Sequence, residues 1–526
     1  MSSAAPFDPS TYWRPETLRD WIERTVAIAP ERPALVLSGA VMSYAELHRR
    51  ALGLAATFRS LGLRPGDVVA AQLPNCVEFV LAYLAAGYAG AVLQTIHMPY
   101  RVAEIGPLLK HSSAAAVVCL AQTKDFAPAE TVLALRSGIP SLRHVIAVGA
   151  GAPAGAVSFP GADTSDIFDA PSRPTAADQF VLLYTSGTVA MPKGVPVAYR
   201  NFLANAQLSV PELDIGPSSI LLSAAPFTHL YGLYSLNLAF AAGATAALLP
   251  AFTPSGLATA LETLRPTGVF TAPAHMAACL GDSLLTAERL RGVRFVMISG
   301  SVCPPDLARR VHDLMRDGTV LQLWGMSELQ AGTFTRPTDP LEDRLGTAGR
   351  ASPGTELRVI DNDAPAPAGQ EGELQVRGCS VFSGYLGNAD ASAAAFTADG
   401  WFRTGDLATL DARGNLRITG RLKELINRGG VKFNPTDVEA VIDRHPAVAQ
   451  SAIVPMPDPT LGERACCFAV LRKDSALDLD TLRAWLAQHD IAKLKWPERL
   501  EIITEMPLTP TRKIKKPELA ARVARG

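Results

Sequence analysis

The sequence predicts an α/β protein. A long first part holds parallel sheets with helices on both faces, and an antiparallel β unit and a small α+β segment follow. Three observations predict this. Apolar strand-like runs alternate with amphipathic helical stretches, which argues for a parallel sheet. The same alternation starts again beyond residue 200. From about Gly346 the texture changes to short alternating strands between Gly, Asp, Asn and Pro turns.

Composition bounds the function. The chain has 526 residues, 48% hydrophobic and 19% charged, with a net charge of −1. That is enough for a large core in several structural units and supports no charge argument for binding nucleic acid or anionic membrane. Met1 to Trp13 lacks a basic segment followed by an apolar run, so no signal peptide is expected. Two stretches approach the hydropathy of a membrane span, Val80–Ile96 and Leu233–Phe252. Both are broken by Gly, Asn or Pro, and buried strand–helix segments are the better reading. The seven cysteines are scattered apart from Cys466-Cys467 and form no Cys-x-x-Cys, so a reduced, cytoplasmic protein without structural zinc is expected.

In chain order, Ser43 and Glu46 cap a helix whose apolar positions Leu47, Ala51, Leu54, Phe58 and Leu61 recur at helical spacing. Strands are expected over Asp67–Leu73, Gly90–Leu93 and Ala114–Cys119, and helices over Val77–Ala89 and Glu104–His111. Ala150–Pro174, rich in Gly, Ala and Pro, reads as a loop. Phe180–Leu183 reads as a buried strand. A helix over Asn201–Ser209 and strands at Ile220–Ala224, Thr267–Thr271, Arg294–Ile298 and Val320–Leu323 continue the pattern. Helices are expected at Thr286–Arg291 and Pro304–Met315. The β unit contributes Glu356–Ile360, Gly372–Arg377 and Leu416–Thr419. The last segment reads as a helix at Pro435–Arg444, strands at Ala449–Pro455 and Arg464–Leu471, and a helix at Leu479–Gln488.

Chemistry concentrates where strands end, as it does at the carboxyl edge of open parallel sheets. After Phe180–Leu183 comes Tyr184-Thr-Ser-Gly-Thr-Val-Ala-Met-Pro-Lys-Gly-Val195. Its hydroxyls at Thr185, Ser186 and Thr188, its glycines Gly187 and Gly194 and its Lys193 suit a polyphosphate. The spacing is not Gly-Lys-Ser/Thr, which argues against a plain P-loop hydrolase. Ser299-Gly-Ser-Val-Cys303 and Trp324-Gly-Met-Ser-Glu328 follow two further strands. An aromatic face can stack on a base, a hydroxyl can meet a phosphate, and a carboxylate can hold magnesium. Read alone, each is also an ordinary polar turn.

Taken together, these stretches resemble the adenylate-forming superfamily of acyl- and aryl-CoA synthetases, peptide-synthetase adenylation domains and firefly-type luciferases. The resemblance rests on five motifs in family order: 184–194, 324–328, Trp401-Phe-Arg-Thr-Gly-Asp406, Gly420-Arg-Leu-Lys-Glu-Leu-Ile-Asn-Arg-Gly-Gly-Val-Lys-Phe-Asn-Pro435 and Pro507-Leu-Thr-Pro-Thr-Arg-Lys-Ile-Lys-Lys516. Pro226-Phe-Thr-His-Leu-Tyr-Gly232 resembles the segment that borders the acyl pocket.

The resemblance implies ATP, Mg²⁺ and coenzyme A as cofactors and substrates of an AMP-forming ligase. It implies an N-terminal part, 1–421, with two parallel α/β sheets and a small β-barrel-like unit, and a mobile C-terminal α+β domain, 422–526, hinged at Lys423. Nucleotide would meet Thr185, Ser186, Gly187, Thr188, Lys193, Ser301, Val302, Cys303, Trp324, Gly325, Met326, Ser327, Asp406, Ile418 and Arg421. Glu328 would hold the metal, and Lys513, Glu328 and His229 would be catalytic. Arg428, Gly429 and Gly430 would meet coenzyme A. His229, Leu233, Gly300, Leu323, Gly325 and Met326 would line the acid pocket, which lacks Arg and Lys and so fits an apolar alicyclic, aromatic or medium-chain monocarboxylate. The chain departs from the family at Val189-Ala190, where Thr-Gly is usual, and at Arg512, where Gly is usual. Two other readings stay open: transfer to the phosphopantetheine thiol of a carrier protein, and a nucleotide-binding protein with impaired turnover.

Overall fold

The structure, a computed structural model, describes residues 7–161, 173–185, 192–509 and 513–525. These fall into two compact units. The first comprises the chain up to Thr185 with 192–356 and 377–400, and the second comprises 357–376 and 401–525.

The first unit is built on two sheets. One has nine strands among the described residues, in the order 350–351, 330–334, 319–326, 295–298, 268–271, 220–223, 245–248, 33–37 and 40–43. From 319–326 to 33–37 neighbouring strands are parallel, and antiparallel strands close both edges. The other has seven strands, 157–158, 144–148, 116–120, 68–72, 92–95, 179–184 and 194–198, parallel except for the last pair.

The α/β class predicted from alternation is therefore present, and the two near-membrane stretches are core. Val80–Ile96 is most of helix Val77–Ala89 plus strand Val92–Thr95, and Leu233–Phe252 runs through helix Leu230–Ala242 and strand Thr245–Leu248. Both helices are buried over most of their length, so they are apolar on all sides rather than amphipathic. No helix among the described residues is long and apolar enough to cross a membrane.

Local expectations mostly hold with ends shifted by a residue or two. Ser43 Oγ accepts from Glu46 N at 3.3 Å and starts helix Tyr44–Ser60. Strand 319–326 is longer than expected and carries Trp324, Gly325 and Met326 inside it. Thr286–Arg291 is a correction, because it is a turn and not a helix. Thr286 Oγ1 accepts from Arg289 N at 3.3 Å, and Gly292, at φ +81°, ends the single turn before strand Phe295–Ile298. The expected loop over 150–174 contains a short strand, Val157–Ser158, among its described residues.

The second unit holds two sheets. The antiparallel β unit has five strands in the order 364–365, 355–361, 372–378, 402–410 and 416–421. Beyond it, strands 431–433, 426–428, 462–471 and 448–458 form an antiparallel sheet, with 499–502 added parallel to 462–471. Helices Pro435–Ile442 and Leu479–Gln488 pack on one face and the terminal helix Lys516–Arg525 on the other. Cys466 and Cys467 show the strand period directly. They are adjacent and both fully buried, yet they belong to the two opposite cores. All seven cysteines are unpaired thiols.

Candidate functional site

Three predicted segments leave the carboxyl ends of strands in the nine-stranded sheet. Strands 295–298 and 319–326 are parallel neighbours, with Ile298 opposite Gln322, so Ser299–Cys303 starts beside Leu323 and Trp324. Gly300 takes φ +99° to make that exit. Ser301 and Val302 are exposed, whereas Cys303 is buried in the core cluster, its thiol pushed up to about 12 by burial. Of Cys303, only the backbone is therefore available to a ligand.

Trp324, Gly325 and Met326 pair with the antiparallel strand Gln330–Phe334, with a register shift between Trp324 and Gly325. Close packing fixes both glycines of this hairpin. A Cβ on Gly325 would meet Gln330 O at 1.9 Å, and one on Gly332 would meet Trp324 Cζ3 at 2.5 Å. The indole thus lies against a backbone bared by Gly332. Met326 O accepts from Leu329 N at 3.1 Å and closes the turn that presents Ser327 and Glu328.

Glu328 is only 5% exposed, and a carboxylate so buried needs partners. Tyr385 Oη donates to its Oε1 at 3.1 Å, and Phe382 N donates to its carbonyl at 2.7 Å. Burial and the neighbouring carboxylate raise the Tyr385 phenol far above its ordinary value, so it remains a donor. The same ring carries Lys193, whose Nζ lies 4.4 Å from its centroid. Leu386 N donates to Gly194 O at 2.9 Å, which ties the Tyr385 segment to the strand that begins after Lys193. Tyr385 therefore joins two motifs far apart in sequence, and sequence reasoning missed it. A lone Tyr after Gly384 gives no signal of its own.

On the loop itself, Thr185 N donates to Lys193 O at 3.1 Å. Ser186, Gly187 and Thr188, together with Val189-Ala190, lie outside the described residues, as does Arg512. His229 is the N-cap of helix Leu230–Ala242, and its Nδ1 accepts from Tyr231 N at 3.3 Å, which leaves the neutral ring's proton on Nε2. His97, also missed, stacks on it at 6.2 Å and shares a hydrogen bond with Thr228 Oγ1 at 3.0 Å. Burial lowers His97 to about 4, so the ring is neutral. Of the expected acid-pocket residues, Leu233 is fully buried one helical turn behind His229, and Leu323 is 8% exposed.

In the second unit Asp406 is buried and faces Arg421 across paired strands, with Arg421 Nε 3.0 Å from Asp406 Oδ1. Ile418 lies on the same strand as Arg421, opposite Ala408. Lys423 is exposed in a 3₁₀ turn, Leu422–Glu424. Arg428 pairs with Glu498 at 2.5 Å, so its guanidinium is already neutralised. Gly429 and Gly430 form the two-residue loop of a hairpin, at φ +61° and +89°. The turn itself thus demands these glycines, a reason separate from the close ligand approach expected from sequence. Lys513 N donates to Thr509 Oγ1 at 3.0 Å and its carbonyl accepts from Thr509 N at 2.7 Å, which gives the lysine a defined backbone.

Among the described residues no group of three or more His, Cys, Asp or Glu could cage a metal. Glu328 alone fits magnesium held mainly by waters and by a polyphosphate. A family model described as AMP-binding enzyme matches residues 22–386, and one described as AMP-binding enzyme C-terminal domain matches 437–513. The chain belongs to the AMP-binding enzyme family, within the adenylate-forming superfamily. The medium-chain fatty-acid–CoA ligase of Escherichia coli K12 is 31% identical over 96% of this chain and 90% of its own length. The salicyl-AMP ligase / salicyl-S-ArCP synthetase of Mycobacterium tuberculosis H37Rv is 32% identical over 98% of this chain and 92% of its own. The crystal structure of ATP-bound MatB from Rhodopseudomonas palustris has a TM-score of 0.87 at 27% identity, over 96% of this chain and 99% of that one. This AMP-binding enzyme thus matches its relatives along nearly their whole length, and its two-sheet α/β fold is theirs.

Proposed function

We propose that this AMP-binding enzyme activates an apolar monocarboxylic acid with ATP and passes the acyl group to coenzyme A, in the cytoplasm. The observation that carries this is the Lys193–Tyr385–Glu328 grouping, which brings a phosphate-binding cation and a metal-binding carboxylate onto one phenol ring. The CoA ligase activity named for the E. coli relative supports both steps, and the salicyl-AMP ligase activity named for the M. tuberculosis relative supports the first.

In the first half-reaction a carboxylate oxygen attacks the α-phosphorus and the bond to the bridging oxygen breaks, giving acyl-AMP and pyrophosphate. Trp324 against Gly332 offers a face for adenine, and Asp406 offers two oxygens to the ribose diol once Arg421 shares or leaves it. Lys193 holds phosphate oxygens, and Lys513 offsets the charge that builds at the α-phosphate. Glu328 would hold magnesium, which would supply further neutralisation there when bound. In the second half-reaction the coenzyme A sulfur attacks the acyl carbon, the carbon–oxygen bond to AMP breaks, and the thiol proton leaves to solvent. The portion from 422 onward swings about Lys423 between the two, withdrawing Lys513 and presenting the Gly429-Gly430 hairpin.

The acid class rests on the absence of Arg and Lys among His229, Leu233, Gly300, Leu323, Gly325 and Met326. Transfer to a carrier-protein thiol is the second reading, favoured by the ArCP named for the M. tuberculosis relative. A pyrophosphate-release screen over alicyclic, aromatic and medium-chain acids, with coenzyme A, with a phosphopantetheinylated carrier, or with neither, tests both. Release that does not depend on any acid would sink the proposal.

A further inference from the structure

The basic run Lys513-Ile-Lys-Lys516 looks like a solvated surface, but its last member is not. Lys516 opens the terminal helix Lys516–Arg525, where a cation opposes the helix dipole. It is held there by two carboxylates from distant segments. Its Nζ lies 2.8 Å from Glu439 Oε1 and 3.2 Å from Glu424 Oε2. The three side chains are 16%, 13% and 29% exposed, so the triad is largely shielded from water. Glu439 is itself oriented, since its Oε1 accepts from Ile453 N at 2.6 Å. Lys515, between Ile514 and Lys516, is exposed, while Ile514 packs against the core of Ala452, Val454, Phe468 and Leu519.

Location gives this triad its meaning. Lys516 lies three residues after Lys513 on an arm that is pinned before it by the Thr509 contacts. Glu424 ends the 3₁₀ turn Leu422–Glu424 and directly follows Lys423. Glu439 lies on helix Pro435–Ile442. One ammonium thus joins the arm that carries Lys513, the flank of Lys423 and a core helix of the second unit.

We propose that Lys516 is a positioning residue for Lys513. With Glu424 and Glu439 it forms a clamp that makes the arm and the segment after Lys423 move as one body. Rotation is then confined to Lys423 rather than spread along the chain after it, and Lys513 arrives at the α-phosphate with a fixed reach. This rests on the reading of Lys513 as the adenylation lysine.

The test uses the full chain with Lys516→Met, Lys516→Arg and Glu424→Gln, and with Lys513→Ala as a control. Three quantities are measured: pyrophosphate release without coenzyme A, thioester formation from supplied acyl-AMP, and amide hydrogen exchange over peptides 505–516 and 420–426. Lys516→Met should lower the adenylation kcat by roughly tenfold, the scale of a small misplacement of a reacting group. The KM for ATP and the thioester rate should each stay within about twofold, and exchange should quicken in both peptides. Lys516→Arg should restore protection and most of the rate. Glu424→Gln, which keeps shape and size, should quicken exchange over 420–426 and serves if Lys516→Met fails to fold.

Unchanged exchange, equal loss of both half-reactions, or faster exchange with full adenylation would each overturn the clamp. Unimpaired adenylation in Lys513→Ala would instead remove the reading of Lys513, and the exchange data would still judge the clamp by themselves.

Discussion

Tyr385 is the residue whose role was least legible beforehand and whose geometry is most specific. Its hydroxyl serves Glu328 and its ring serves Lys193, so the two functions can be separated. Tyr385→Phe keeps the ring and removes a hydrogen bond to a charged, buried group, worth about 1.5–3 kcal/mol. We expect adenylation kcat/KM to fall roughly ten- to hundredfold, with a higher Mn²⁺ dissociation constant by electron paramagnetic resonance in the presence of a non-hydrolysable ATP analogue. Unaltered Mn²⁺ affinity would detach Tyr385 from the metal. Lys513→Ala should cut adenylation by roughly 10²–10³ and spare thioester formation from acyl-AMP; equal loss of both would rule out a lysine that leaves between steps. The sequence offered Lys513, Glu328 and Asp406 as candidates because charged residues in motif context stand out. Tyr385 and His97 did not, because their partners are set by chain crossings that no single sequence reports.

At the scale of elements, the hairpin 319–334 and the loop 429–430 both depend on glycine, for opposite reasons. Gly332 is needed for space. Gly332→Ala would drive a methyl to 2.5 Å from a rigid indole, so Trp324 must shift, at about 1–3 kcal/mol of stability. The expected outcome is a raised KM for ATP in initial-rate kinetics with little change in kcat for adenylation; an unchanged KM would mean the indole is not the adenine face. Gly430 is needed for its backbone angle alone, since a Cβ there meets nothing within 4 Å. Gly430→Ala should strain the turn by about 1–2 kcal/mol and slow thioester formation while acyl-AMP formation persists. Measuring the two half-reactions separately checks this. Periodicity located most strands and helices, because apolar spacing is a local signal. It misplaced Thr286–Arg291, where the same spacing is met by one capped turn that Gly292 ends.

Across the whole molecule, the two units should respond oppositely to mild acid. His97, in the first unit, is lowered from 6.5 to about 4 by burial. The unfolded chain therefore binds the proton first, and stability falls as pH drops from about 6.5 toward 4. Burial also lowers His48, His144 and His312 in that unit. Asp443, in the second unit, is raised from 3.8 to about 6, chiefly by burial, with Glu439 adding to it. Here the folded form binds the proton first, so stability rises as pH falls from about 6 toward 4. Pulsed hydrogen exchange in urea at pH 7 and pH 5, read peptide by peptide, should show the first unit weakened and the second strengthened. His97→Asn and Asp443→Asn should flatten the respective slopes, and a parallel shift of both units would contradict the assignment. The sequence foretold the α/β class and the change of texture near Gly346, since composition and period survive without coordinates. It could not foretell which carboxylates are buried, because burial is a property of the folded whole.

The seven native thiols carry a practical consequence. Six are buried and Cys76 is half-buried. Burial pushes Cys279 up to about 11 and Cys76, Cys119, Cys303, Cys379 and Cys466 up to about 12, and it raises Cys467 well above the ordinary thiol value. Near neutral pH almost none of them is the nucleophilic thiolate, so maleimides should pass them over. The wild-type protein is thus a quiet background for site-directed labelling. One cysteine introduced on the surface before residue 400 and one beyond residue 430 would carry a spin-label or fluorophore pair, and the separation between the two labels would test the proposed swing about Lys423 without first stripping the native sulfur.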